Sequence, residues 1–123
     1  RQRWDRAILS NLVALLKELD PDMDFKWDVR DAVSVYPRGS SRFWARLKTK
    51  EADALETWFT GRRGAAKPSQ LANIGRDAAI EGDRTDGTEL LKLRFVTAGE
   101  FDATKLKPLL AGHLNAFKSA FES

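Results

Sequence analysis

The sequence predicts an α+β domain: a two-layer sandwich in which a small antiparallel sheet of three to four strands carries helices packed on one face. Two stretches near the ends of the chain repeat apolar residues at helical spacing. Several stretches between them alternate with a period of two, and turn-forming clusters separate the neighbours. A length of 123 residues favours a single domain over residues 1–123. Amphipathic helices and a half-apolar sheet then bury their apolar sides against one another.

The first helix is carried by Trp4, Ile8, Leu12, Leu15, Leu16 and Leu19, with Leu9 and Val13 widening the stripe. Pro21 ends it, because the residue before a proline is pushed out of the helical region. Residues 22–30 are mixed and lead toward a strand. Residues 31–37 and 42–49 both alternate, and the Pro37 to Ser41 cluster between them marks an antiparallel hairpin. On the second of these strands Phe43, Ala45 and Leu47 take one face, while Arg42, Trp44, Arg46 and Lys48 take the other.

Residues 51–59 read as a short helix, with Thr49 as N-cap, acids in the first turn and an apolar side of Leu55, Trp58 and Phe59. Gly61 closes it. A helical turn is expected within 68–74, and a short edge strand over 76–81. The Asp-Gly cluster at 82–87 introduces a strong strand over 88–97, with Leu91, Leu93 and Phe95 on one face. Asp102 or Thr104 caps a final helix whose stripe is Leu106, Leu110, Leu114, Phe117 and Phe121.

The chain has no cysteine and one histidine, His113, which excludes disulfides, thiolate metal sites and an imidazole cluster. No apolar run reaches the length of a membrane span. No signal peptide is visible, the absence of cysteine fits a cytoplasmic setting, and a start without methionine suggests a piece of a longer protein. The net charge of +3 is weak, so a nucleic-acid reading rests on where cations sit.

The run GRRGAAKPS at 61–69 resembles a phosphate cradle, but Ala66 stands where the second glycine belongs and Pro68 where the hydroxyl belongs. It remains a basic loop: from Thr57 to Arg76 there is no acid, and Arg62, Arg63, Lys67 and Arg76 are its cations. If helices cover the apolar sheet face, the other face shows Arg42, Arg46, Lys48, Lys92 and Arg94 around Trp44 and Tyr36. Cations among aromatics suit a nucleic-acid backbone and unstacked bases, although cationic chains also occur on any wet sheet face. Of the four tryptophans, Trp4 and Trp58 fit helix faces, Trp27 caps the core, and Trp44 is the candidate contact residue. The acidic run Asp20, Asp22, Asp24 and Asp28 lacks the glycine and glutamate of a calcium loop and reads as a solvated helix exit. No serine sits in a nucleophile elbow, and His113 reads as a packing residue.

Taken together, WDVR at 27–30, WARLKTK at 44–50, residues 55–61, IGRD at 74–77, Asp86-Gly87 and LKLRF at 91–95 resemble the extra C-terminal segment of long UvrA-like excinuclease ATPases. The resemblance implies a cytoplasmic accessory domain on a DNA-repair ATPase. Nucleotide and zinc motifs are absent from this stretch, so no enzyme activity and no cofactor are expected of it. The expected partners are DNA, distorted or single-stranded, and the parent ATPase core or repair proteins, with no membrane. The charge pattern nominates Arg42, Trp44, Arg46, Lys48, Arg62, Arg63, Lys67 and Arg94 for DNA contact. The alternative is a protein-interaction module that docks on the ATPase or a repair partner.

Overall fold

The computed structural model describes residues 2–27, 30–82 and 85–121. Helix α1 spans Ala7–Leu19 and helix α2 spans Ala103–Phe121. Between them run β1 (Asp24–Lys26), β2 (Val33–Tyr36), β3 (Ala45–Lys48), β4 (Leu55–Arg62), β5 (Asp77–Glu81) and β6 (Thr88–Phe95). They form one six-stranded sheet in the order β1-β2-β3-β4-β6-β5, antiparallel throughout. The α+β class therefore holds, but the sheet has six strands rather than three or four.

One of the additional strands replaces an expected helix. Residues 51–59 do not coil: β4 runs straight through their second half. Leu55, Thr57 and Phe59 are buried, while Glu56, Trp58 and Thr60 are half-buried, a period of two. The spacing of Leu55, Trp58 and Phe59 mimics a helical stripe only because two of the three share a strand face. β4 lies between β3 and β6 and pairs with β6 over its whole length, from Leu55↔Phe95 to Arg62↔Thr88. Lateral pairing satisfies the backbone groups of a central strand, and Thr57-Trp58-Phe59-Thr60 is a strongly strand-favouring run. Thr49 accordingly caps nothing; its N–H bonds the Leu47 carbonyl within the turn that leads to β4. The other additional strand, β1, is a short, charged edge.

The core lies between the helices and one sheet face. α1 contributes Ile8, Leu12, Leu15 and Leu16; α2 contributes Leu106, Leu109, Leu110, Leu114 and Phe117. Against them the sheet presents Val33, Val35, Ala45, Leu47, Leu55, Phe59, Leu91, Leu93 and Phe95, all buried. Trp4, just before α1, is also buried, and its indole N–H donates to the Glu51 carbonyl at 2.9 Å. Asp102 caps α2 as expected, accepting the Thr104 N–H at 3.0 Å. Trp27 caps nothing: it is 57% exposed and stacks on Phe25 with 6.4 Å between ring centres.

Asp20 corrects the picture of a solvated acidic run. It is buried, and its carboxylate accepts the N–H groups of Asp22 (3.0 Å) and Arg38 (2.8 Å), with Lys118 Nζ at 3.8 Å. It thereby ties the end of α1 to the β2–β3 turn and to α2. Asp22 and Asp24 are exposed and pair with Arg38 and Lys26, while Asp28 lies outside the described residues.

The segment that leads into β5 crosses closely over β6. Gly75 has φ +65°, and a Cβ there would meet the Arg94 carbonyl oxygen at 2.5 Å. Gly87 has φ +78° but open space around it. Gly75→Ala is expected to cost roughly 2–4 kcal/mol, from a clash added to a left-handed backbone, and Gly87→Ala only about 1 kcal/mol. Urea denaturation of the two variants checks this; equal losses would show that the crossing is not as tight as described.

Candidate nucleic-acid interface

The division of β3 between the two sheet faces is set at its first residue. Ala45 is the residue paired with Val35, yet Trp44 N–H also donates to the Val35 carbonyl at 2.8 Å. Two successive residues thus face a single partner residue, which is a β-bulge. A bulge breaks the alternation, so Trp44 and Ala45 are both buried and Phe43 turns to the opposite face. The expected outward Trp44 is overturned: it is fully buried, 5.0 Å from the Phe59 ring centre. Its indole N–H donates to His113 Nδ1 at 2.9 Å.

Trp58, half-buried, takes the place on the open face instead. It is the fourth residue of β4 and faces away from the helices. Strand registers place it in one row across the sheet, Lys26–Ser34–Arg46–Trp58–Lys92–Ala79. The row holds three cations and no acid. At about 4.8 Å per strand, Lys26 and Lys92 are separated by roughly 20 Å. Lys92 Nζ lies 4.5 Å and Lys48 Nζ 4.8 Å from the Trp58 ring centre, and the Arg46 guanidinium lies 5.4 Å from that of Phe43. The Trp58 N–H donates to Glu56 Oε1 at 3.1 Å, which orients the ring. Acids flank the row: Lys92 pairs with Glu81 (2.7 Å), Arg94 with Asp77 (3.1 Å) and Lys26 with Asp24 (3.2 Å). Arg46 and Lys48 form no ion pair among the described residues.

The nominated residues therefore divide into groups. Arg46, Lys48 and Arg94 share the open face. Arg42 and Arg62 gather elsewhere, at the C-terminal end of α2, with guanidinium carbons 4.2 and 5.5 Å from the Phe121 ring centre. Arg62 also reaches the Ala120 carbonyl at 3.5 Å, and a cation suits the negative end of a helix. Arg63 and Lys67 are exposed on the loop after β4. That loop does not present a free cradle: buried Glu89 accepts the N–H groups of Gly64 (3.0 Å) and Ala66 (3.5 Å). Its backbone donors already hold a carboxylate of the same chain. Sequence reasoning misses Trp58 because a helix over 51–59 places its ring in the core. The signal that could have found it is the strict alternation of Leu55, Thr57, Phe59 and Gly61.

Gly61 does not end a helix. It sits in β4 against the His113 ring, where a Cβ would lie 3.0 Å from Nε2. No group of three or more His, Cys, Asp or Glu among the described residues is arranged to hold a metal ion. None of the described helices is long and apolar enough to cross a membrane. Comparison of the chain with family models, with curated proteins and with solved structures finds no match in any of the three.

Trp44 N–H is a donor only, so His113 Nδ1 accepts and the neutral ring carries its proton on Nε2. Burial lowers the His113 pKa from 6.5 to about 4. As pH falls, the unfolded chain protonates first, so this contribution is whole above about pH 6.5 and is lost toward about pH 4. The difference corresponds to about 3 kcal/mol. Stability measured by urea denaturation is expected to decline across that window, and His113→Gln to decline less by about that amount. Parallel pH profiles for the two proteins would contradict the assignment.

Proposed function

We propose that the chain is a non-catalytic DNA-contact domain, and that the open face of its sheet makes the contact. The row Lys26–Ser34–Arg46–Trp58–Lys92 carries this reading: cations spaced across strands, free of acid, with an aromatic ring among them. Phosphates seek such cations and bases seek such rings. The Lys26–Asp24 and Arg94–Asp77 pairs are exposed and the Lys92–Glu81 pair is half-buried only on its lysine side, and exposed pairs contribute only about 0–1 kcal/mol each, so phosphate competes with these carboxylates at modest cost. The resemblance to the excinuclease segment supplies the setting: a cytoplasmic accessory domain of a DNA-repair ATPase.

A second reading is favoured by one observation. The exposed ring of Trp27 lines an apolar groove with Leu9, Val13 and Ala14 on the outer side of α1. Such a surface suits a protein, and the parent ATPase core or a repair partner is the expected occupant under the same resemblance.

Fluorescence anisotropy with labelled DNA at increasing salt tests the first reading. Three to four phosphate contacts predict a log–log salt slope of roughly −2 to −3.5. Arg46→Ala with Lys92→Ala is expected to reduce that slope by about 1.5. Undetectable binding at low salt, together with capture of the ATPase core, would favour the protein-docking reading.

A further inference from the structure

We infer that the open face holds one unstacked nucleobase and so selects single-stranded over duplex nucleic acid; this rests on the reading of that face as a nucleic-acid contact surface. The bulge turns Phe43 outward, and between Phe43 and Trp58 it leaves a hollow of about 160 Å³ lined also by Arg46, Thr60 and Leu90. Its size suits a single ring system and not the edge of a helix. Two aromatic rings and a leucine make the walls apolar, while the Thr60 hydroxyl and the Arg46 guanidinium add polar groups.

One of those groups lacks a partner. Arg46 Nε is shielded from solvent and makes no hydrogen bond. A buried donor left unpaired is costly, and a turn of the guanidinium toward an acceptor in the hollow that Arg46 lines removes that cost. A base supplies both needs at once: a flat face for the aromatic walls and a ring carbonyl or ring nitrogen for the donor. A bare phosphate would satisfy Arg46 but would waste the rings. Phe43 is braced from behind by Tyr36, edge-on at 6.3 Å, so this wall is fixed. The Trp58 ring is covered by Lys48 and Lys92, whose long chains swing aside to phosphates on either side of an inserted base.

Duplex DNA does not present this combination, because its base faces are already stacked on one another. A single strand splays a base out freely.

The test compares anisotropy of an oligo(dT) of about 15 nucleotides with that of a duplex of similar length, at one salt concentration. Oligo(dT) is expected to bind about tenfold tighter. Trp58→Leu keeps apolar cover over the sheet but removes the flat ring, and Arg46→Lys keeps the charge but removes Nε. Each is expected to remove the preference by weakening oligo(dT) about tenfold more than duplex. Equal affinity of the native protein for both polymers overturns the inference while leaving DNA contact intact, and this comparison decides even if a variant fails to fold. Binding of neither polymer removes the DNA-contact reading itself. Thymidine monophosphate binding as tightly as oligo(dT) would make the hollow a mononucleotide pocket and overturn the strand proposal.

Discussion

The bulge opposite Val35 governs how β3 shares its side chains between interior and surface. Without it, Trp44 would stand on the open face and Phe43 in the core. With it, the indole enters the interior, where it touches Phe59 and hands its N–H to His113. Removing a buried ring of this size costs about 3–5 kcal/mol, so the bulge is held in place by what it buries. Gly61 follows from the same arrangement, since the His113 ring needs the space of its missing side chain. The surface hollow beside Phe43 is the outer consequence of the same kink.

Electrostatics sort the cations by job. The Arg76 Nε donates to Glu100 at 2.7 Å, and Glu100 also accepts the Val96 N–H at 2.7 Å, so this pair pins the β6–α2 connection to the segment before β5. Arg42 and Arg62 serve the end of α2, and Lys107 pairs with Glu18 between the helices at 3.2 Å. The glycine-rich loop that looks most like an anion site is closed by Glu89. Among the described residues of the open sheet face, Arg46 and Lys48 remain without a carboxylate partner, and both lie beside Trp58. A weak net charge is thus compatible with a local cationic row, although Glu56 stands beside it, opposite Lys48 and Arg94 and holding the Trp58 N–H.

The α+β class and the two long helices follow from local sequence alone. A 3.6-residue apolar period over a dozen or more residues has one good solution, and it selects most of the buried residues of α1 and α2; Leu19 and Phe121 are only half-buried, and Leu109 and His113 join the core. The β2–β3 hairpin and β6 follow equally from alternation and turn residues. Arg46, Lys48 and Arg94 share a face because undisturbed alternation fixes parity within each strand.

Two decisions belonged to tertiary structure. Residues 55–59 satisfy a short helical stripe and a strand alternation at once; the strand-favouring run at 57–60 leans one way, and pairing on both sides, with β3 and β6, made them a strand and sent Trp58 outward. Parity across the bulge is equally unreadable along the chain, because an extra residue in a ladder exists only relative to the partner strand. Sequence therefore determined that a cationic sheet face would exist, while the tryptophan assigned to it from alternation, Trp44, is buried. Which tryptophan it bears was decided by the partner strands, since hydrogen-bond register is a property of two chain segments and never of one.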